Sequence, residues 1–188
     1  MKKHLVIASL YTVITAVLLG VIYPLGITAL AHVLFPAKAS GELLTNNGAI
    51  VGSRLIGQPF SGPSYFHSRP SAAGTGYDAA ASSGSNLGPT SKALADRVQA
   101  SIATESVSGA VPIDLITASA SGLDPDITPA SALYQVERVA AARKLSPQEV
   151  QSLVASNITE RQLGLLGEPR VNLLQLNMEL DKLTAQSR

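Results

Sequence analysis

The sequence predicts an α+β protein: one N-terminal transmembrane helix followed by a single extracytoplasmic domain of short strands and several helices. Three features of the chain predict this class. Residues 5–35 form a long apolar run, the next segment is rich in Gly and Ser with short β-like stretches, and helical patterns dominate the second half. Strands that come first and helices that come later are typical of an α+β domain. The domain is expected over residues 38–188.

The apolar run at 5–35 is long enough to cross a membrane. It contains no Asp, Glu, Lys or Arg, and a hydrocarbon core about 30 Å thick needs roughly 20 apolar helical residues. Pro24 lacks a backbone N–H, which predicts a kink near this residue. The alternative is a cleaved secretory signal, since Ala37-Lys38-Ala39 fits the cleavage pattern. The apolar part of a signal is only about 7–15 residues long, so the length favours an uncleaved anchor.

Charge at the N-terminus predicts the orientation of the anchor. Lys2 and Lys3 favour a cytoplasmic location for residues 1–4, which places the domain outside the cytoplasm. The chain has no Cys, which suits an oxidising compartment. The domain holds 12 of the 14 basic residues and all 13 acidic ones, so it has no basic excess for binding nucleic acid.

Small side chains recur every four residues along the apolar run. Such a stripe allows another helix to approach closely, and small residues are common at helix–helix contacts in lipid. Small residues are also frequent in any membrane helix, so the stripe is equally well explained by ordinary composition, without a partner helix. The residues predicted to pack against a partner helix are Ala8, Thr12, Ala16, Gly20 and Pro24, with Thr28 continuing the series.

Residues 46–90 predict an ordered region rich in turns. Gly, Ser and Pro are abundant there, yet the region also holds four of the eight aromatic residues, which a flexible linker rarely concentrates. Ile50-Val51 and residues 53–57 predict short strands separated by a Gly turn. Long ordered loops of this kind are often binding surfaces.

The second half of the chain carries four helix-start signals. A helix is predicted from Thr90 or Ser91 to about Glu105, and residues 112–117 predict a strand. The other three starts are Thr128 followed by Pro129, the capping box from Ser146 to Glu149, and Asn172. The expected apolar faces are Leu94, Ala95, Val98 and Ile102; Leu133, Val136, Val139 and Ala140; Val150, Leu153 and Val154; and Leu173, Leu176, Leu180 and Leu183.

Motifs for catalysis and metal binding are absent from the sequence. The domain has one His, His67, and no Ser lies in a G-x-S-x-G turn, so a hydrolytic site would depend on His67. We expect instead a loop histidine that is hydrogen-bonded near Arg69. Asp124 and Asp126 lack the further ligands that a metal site needs and more simply favour a turn. No catalytic and no metal-binding residue is therefore predicted.

Six blocks in chain order carry a resemblance to a known family. They are LIGQPF at 55–60, YFHSRPS at 65–71, SGSNLGPT at 83–90, DLITASASGLD at 114–124, QVERVA at 135–140 and LGEPRVN at 166–172. Together they span most of the chain, and their succession resembles the C subunit of the Kdp potassium-transporting ATPase, the KdpC family.

The resemblance implies that this chain is an accessory subunit of a complex in the bacterial inner membrane. That complex uses ATP to take up potassium with high affinity. The partners of this chain would be a channel-like potassium-binding subunit and a P-type ATPase subunit, and the other subunits would handle ATP and potassium. The family's C subunit is described as a catalytic chaperone that raises the ATP affinity of the hydrolysing subunit. Some accounts of the family assign nucleotide binding to the region of Gln135. On the residues alone, Gln135 is expected on the solvated face of its helix.

The residues and the resemblance together suggest how the subunit would dock. No Asp-Lys-Thr-Gly phosphorylation motif is present, because Asp181-Lys182 continues as Leu183-Thr184. A domain outside the cytoplasm cannot reach the nucleotide, so its effect on ATP would be indirect. The loops are then expected to face the channel-like subunit, through the docking residues Gln58, Phe60, Tyr65, Phe66, Arg69 and Asn86. The alternatives from other classes are a membrane-anchored periplasmic hydrolase and a binding module that acts alone.

Overall fold

A computed structural model describes residues 1–46, 48–105 and 109–186 of the chain. The chain divides into two compact units, Met1–Val51 and Gly52–Arg188. One N-terminal apolar helix is followed by short strands and several helices, which confirms the predicted α+β class.

The first unit is dominated by continuous helix from Lys2 to Leu34. It comprises α1 (Lys2–Val17), a π-helical turn (Leu18–Ile22) and α2 (Tyr23–Leu34), and the short helix α3 (Pro36–Ala39) follows. The π-helical turn lies directly before Pro24, where the missing N–H and the ring of proline disturb the regular hydrogen-bond ladder. By length and composition, Lys2–Leu34 is sufficient to cross a membrane.

Two strands, β1 (Leu43–Asn46) and β2 (Ala49–Ser53), pair with each other. The prediction of a further strand at 53–57 is wrong, because the chain turns immediately after β2. The Ser53 hydroxyl accepts a hydrogen bond from the Leu55 N–H at 3.1 Å, and the Ser53 carbonyl accepts one from the Ile56 N–H at 3.4 Å. Local bonds to a serine compete with strand pairing in this way.

The second unit contains a small antiparallel sheet in the order β3–β5–β4. These strands are β3 (Asp126–Ile127), β4 (Ile158–Thr159) and β5 (Arg170–Asn172). In the register, Ile127 and Ile158 both lie opposite Val171 on the central strand. This arrangement places three β-branched residues side by side at the edge of the core.

Five helices complete the second unit, and their starts mostly follow the predicted caps. They are α4 (Lys92–Glu105), α5 (Ile113–Ile116), α6 (Pro129–Arg143), α7 (Pro147–Ser156) and α8 (Leu173–Gln186). Thr128 caps α6, Ser146 and Glu149 form the capping box of α7, and the Asn172 side chain accepts the Gln175 N–H at 3.2 Å. The three predicted cap sites at 128, 146 and 172 are confirmed.

The predicted strand at 112–117 is wrong, since Ile113–Ile116 forms the helical turn α5. Apolar and β-branched residues are equally compatible with a strand, and tertiary contacts decide the outcome here. The buried carboxylate of Asp114 accepts the Thr128 N–H at 2.8 Å, which ties this turn to the start of α6. Burial opposes ionisation of Asp114, but hydrogen bonds from Thr128 and Ser131 outweigh it and lower the pKa of this carboxyl.

The core lies between α6, α7, α8 and the three-stranded sheet. Its buried members are Phe66, Ile127, Ala132, Val136, Val139, Ala140, Val150, Val154, Val171, Leu173, Leu176 and Leu180. The apolar faces predicted for α7 and α8 are therefore largely confirmed, while Leu133 on α6 is 42% exposed. Helix α4 contains no buried residue; on its predicted apolar face Leu94 and Val98 are half-buried, and Ala95 and Ile102 are exposed.

Candidate functional site

The loop region between β2 and α4 is the candidate functional site, and it is held to the helices by side chains that bind its backbone. Phe66 anchors it. The Phe66 side chain is fully buried, its N–H donates to Asn177 Oδ1 at 3.0 Å, and its carbonyl accepts Asn177 Nδ2 at 3.0 Å. Asn177 thus pairs with the loop backbone as a neighbouring strand would. Phe66 is part of the core, so its side chain does not contribute to the surface on which docking was predicted.

Gln135 on α6 makes the same two-point contact with the next loop residue. Its Oε1 accepts the His67 N–H at 2.6 Å, and its Nε2 donates to the His67 carbonyl at 3.2 Å and to the Ser131 carbonyl at 3.1 Å. Gln135 is only 1% exposed. The expectation of a solvated position for this side chain is wrong, because the loop covers it.

Two arginines of α6 hold the turn that precedes Phe66. Arg138 Nη1 donates to the carbonyls of Pro63 and Tyr65 at 2.9 and 3.0 Å, and Arg143 Nε donates to the Ser64 carbonyl at 2.7 Å. The Arg143 guanidinium also lies 4.5 Å from the centre of the Tyr65 ring. Guanidinium groups suit this role because their donors form a rigid fork. Burial lowers the pKa of Arg138. We call Gln135, Arg138, Arg143 and Asn177 the clamp.

His67 uses both ring nitrogens in contacts within the domain. Nδ1 lies 3.2 Å from Glu105 Oε1, and Nε2 lies 2.8 Å from the Gly62 carbonyl. The hydrogen bond from His67 lowers the pKa of Glu105, and its burial opposes this effect. The expectation of a hydrogen-bonded loop histidine is therefore confirmed, with Glu105 and Gly62 as its partners. Nucleophilic catalysis would need a hydroxyl group hydrogen-bonded to one of these ring nitrogens. Among the described residues, the partners of the two nitrogens are the Glu105 carboxylate and the Gly62 carbonyl.

A partly open cavity of about 350 Å³ lies beside this histidine. It is lined on one side by the loop and on the other by α4, with Arg97 and Glu105 as its charged residues. Tyr77 also borders it; its hydroxyl donates to the Arg69 carbonyl at 2.6 Å, and burial raises its pKa. Arg97 itself donates to the Ser71 carbonyl at 3.1 Å. Arg97, Glu105 and Tyr77 are thus engaged in holding the loop.

The second half of the loop lies against residues 117–124. Arg69 pairs with Asp124 at 3.1 Å, and the Ser71 hydroxyl donates to the Gly122 carbonyl at 2.6 Å. Gly122 has a φ of +67°, and a Cβ there would lie 2.6 Å from the Ser83 carbonyl oxygen. Only glycine fits this crossing of two backbones.

The predicted docking residues therefore have different surroundings. Arg69 is part of an ion pair, and Tyr65 stacks with Arg143 and lies 5.6 Å from Phe60 between ring centres. Gln58 is partly exposed and Asn86 is exposed, the latter in a left-handed backbone conformation. Docking through the exposed parts of this region stays a prediction.

The small-residue stripe of the first unit is exposed along its length. Ala8, Thr12, Ala16, Gly20 and Pro24 are all exposed, and a Cβ added at Gly20 would meet nothing within 4 Å. Within residues 1–46, 48–105 and 109–186, no group of three or more His, Cys, Asp or Glu is placed to hold a metal ion. Packing of the stripe against another helix stays a prediction.

Among the described residues, one N-terminal helix is long and apolar enough to cross a membrane, and it precedes an α+β domain whose conspicuous polar residues hold its own loops. These features define a class of protein with one candidate membrane helix and one mixed α+β domain. The comparisons specify the family. The family model described as "KdpC: K+-transporting ATPase, c chain" matches residues 5–182. The chain belongs to the KdpC family.

Relatives from several bacteria are similar over nearly the whole chain. The chain is 55% identical to the potassium-transporting ATPase KdpC subunit of Koribacter versatilis, covering 96% of this chain and 95% of the relative. It is 58% identical to the KdpC subunit of Acidobacterium capsulatum, covering 96% and 99%. The KdpC subunit of Bradyrhizobium diazoefficiens is 51% identical, with 94% and 95% covered. The resemblance noted in the sequence is confirmed.

Proposed function

We propose that this chain is the accessory subunit of a high-affinity, ATP-driven potassium uptake complex in a bacterial inner membrane. It assembles with a channel-like potassium-binding subunit and a P-type ATPase subunit, and it stabilises that complex. Residues 1–4 lie in the cytoplasm, the helix crosses the membrane, and the domain is periplasmic. The observation that carries the proposal is the full-length match to a family of potassium-transporting ATPase subunits.

In this complex the chain acts as a catalytic chaperone: it raises the ATP affinity of the hydrolysing subunit without binding ATP itself. The surroundings of Gln135 support an indirect effect. Both atoms of its amide group are used within the domain, by His67, Ser131 and Arg138. An indirect effect requires only that docking favours one conformational state of the partner over another.

Recovery of the complex tests the assembly role. Tagged full-length chain is purified from native membranes at low potassium, and potassium-stimulated ATP hydrolysis is measured on the recovered material. We expect the two partner subunits and the activity to be recovered together. Recovery of this chain alone, as a monodisperse protein, would contradict the proposal.

The stripe is tested in the same preparation. Ala16→Leu with Gly20→Leu is expected to reduce recovery of the partner subunits, because bulky side chains prevent close approach of two helices. Ile14→Leu is the control, since Ile14 lies on the opposite side of α1 from Ala16. Unchanged recovery with the double variant would exclude the stripe as a contact.

Photolabelling with an azido-ATP analogue separates indirect from direct action on the nucleotide. On the assembled complex, we expect the label on the ATPase subunit and none on this chain. Labelling of this chain that is lost in Gln135→Ala but kept in Gln151→Ala would instead favour the direct contact implied by the resemblance; Gln151 is an exposed glutamine on α7.

A further inference from the structure

The loop between β4 and β5 presents three leucines to solvent. Leu163, Leu165 and Leu166 are 91%, 82% and 60% exposed, while the leucines of α8 fill the core. They follow one another around a tight turn in which Gln162 and Leu166 pair through both backbone hydrogen bonds at 2.9 Å. We call Leu163, Leu165 and Leu166 the leucine tip. Large apolar side chains that are exposed singly are ordinary, but a contiguous group of them marks an interaction site.

Local contacts close the turn. Arg161 and Glu168 form an ion pair of 2.5 Å across its base. Leu163, Gly164 and Gly167 have φ values of +54°, +72° and +78°. Leucine rarely adopts this backbone conformation, so the tip holds Leu163 in a defined position outside the core. A loop ordered before binding loses less conformational freedom when it binds, and this favours a shaped protein pocket as its partner.

The area of the leucine tip argues against one alternative, a dimer of this chain held by this surface alone. Three leucines at these exposures offer on the order of 400 Å² of apolar surface, whereas a stable interface buries about 800 Å² per partner. The tip alone is too small to hold two copies together. It suits one contact in a larger assembly whose other contacts are made elsewhere on the chain.

The charges beside the leucine tip argue against a lipid surface as its partner. Glu160 and Glu168 flank the turn, Arg161, the one basic residue at 160–169, is paired with Glu168, and this stretch contains no Lys, Trp or Tyr. Segments that insert into the interface of a membrane carry basic and aromatic residues of those types, because anionic headgroups attract cations and repel carboxylates.

We propose that the leucine tip docks into an apolar pocket on another subunit of the potassium-transporting ATPase. This inference rests on the proposed function and adds a second contact surface, distinct from the loop region between β2 and α4. The pocket is lined by aliphatic or aromatic side chains. Leu163 and Leu165 enter it deepest, since they are the most exposed.

Site-specific photocrosslinking in native membranes tests the partner. A photoreactive phenylalanine analogue replaces Leu165 in the full-length chain, and Ile113, an isolated apolar residue that is 71% exposed, is the control position. We expect a covalent adduct at position 165 with another ATPase subunit, identified by mass spectrometry, at a yield at least about tenfold above that at position 113. Adducts with lipid or a second copy only, or no adduct, would overturn the inference.

Substitution of the leucine tip tests its contribution to binding. Leu163→Asn with Leu165→Ser should lower recovery of the partner subunits by at least about tenfold, since two buried leucines are lost from the contact. Asn tolerates the left-handed conformation at 163, so the melting temperature of the purified chain should not fall. Ile113→Ser should keep wild-type recovery. Wild-type recovery with the double variant would overturn the inference.

The two tests separate this inference from the proposed function. If unmodified chain recovers no ATPase subunit, the proposed function fails and the inference fails with it. If unmodified chain recovers the complex and the variant of the leucine tip does so equally well, only the inference fails.

Discussion

Gln135 illustrates how a single polar side chain acquires its role from the fold. An amide on a helix is ordinarily solvated, but here the loop containing Phe66 and His67 lies across it and satisfies its hydrogen bonds. Buried polar groups are retained where each is paired, because an unpaired one is costly. Gln135 therefore connects the loop to α6 whatever else it does in the assembled complex.

Replacing Gln135 by Ala is expected to lower the free energy of unfolding by about 1–3 kcal/mol, because the backbone groups of His67 lose their buried partners. Chemical denaturation of the purified chain measures this change. Gln151→Ala, on the exposed face of α7, should have almost no effect. Equal stability of the two variants would contradict the structural role of Gln135.

The pair formed by His67 and Glu105 predicts how stability depends on pH. The pKa of Glu105 is lowered from its ordinary value of 4.5, chiefly by the hydrogen bond from His67. A carboxyl whose pKa is lower in the folded chain than in the unfolded chain stabilises the fold when it is ionised. This stability is fully present at pH values above the pKa in the unfolded chain, and it is lost as the pH falls through the pKa in the folded chain.

We therefore expect the free energy of unfolding to decrease as pH falls below about 4.5, and to decrease less in Glu105→Gln. Denaturation curves collected between neutral and acidic pH measure the effect. Asp114 contributes in the same direction, so part of the decrease should remain in the variant. Glu160→Gln, at an exposed position, is the control and should follow the wild-type profile. Identical profiles for Glu105→Gln and wild type would contradict this account.

At the scale of elements, α7 shows how far local sequence can define a helix. Its capping box satisfies the N–H groups of both Ser146 and Glu149, and the hydrogen bonds from Ser146 lower the pKa of Glu149. Pro147 occupies the first turn, where its missing N–H costs nothing. These three residues define where the helix starts through local contacts alone.

Removing the Ser146 hydroxyl should lower the stability by about 1 kcal/mol, as is typical when a capping side chain is lost. The thermal unfolding midpoint of Ser146→Ala, compared with that of wild type, measures it. Ser152→Ala, at an exposed position inside α7, is the matched control and should not destabilise the chain. A larger loss in Ser152→Ala than in Ser146→Ala would contradict the capping role.

Helix α5 shows the opposite case, in which local sequence is not decisive. Residues 112–117 are compatible with a strand, but Ile113–Ile116 forms a helical turn, and the bond from the Thr128 N–H to Asp114 ties this turn to the start of α6. Helix α4 matches its predicted bounds, and its predicted apolar face is at most half-buried. Periodicity identifies an apolar face without indicating whether another element covers it.

At the scale of the whole molecule, the division into two compact units predicts that the second unit folds without the first. All buried members of the core belong to the second unit, and so does the clamp. We expect a fragment comprising residues 52–186 to unfold in one cooperative transition when monitored by circular dichroism, as single domains of this size do. A fragment without a cooperative transition would show that the first unit is needed for folding.

The sequence by itself determined the family, the α+β class, the long apolar helix and three helix starts, because these depend on hydrophobic length, on short capping patterns and on blocks of residues close in the chain. The tertiary structure decided the rest. It placed Phe66 in the core, gave Gln135 and Asn177 a loop to hold, and left the leucine tip uncovered. Burial depends on which distant segments meet, and the local pattern of residues does not specify those contacts.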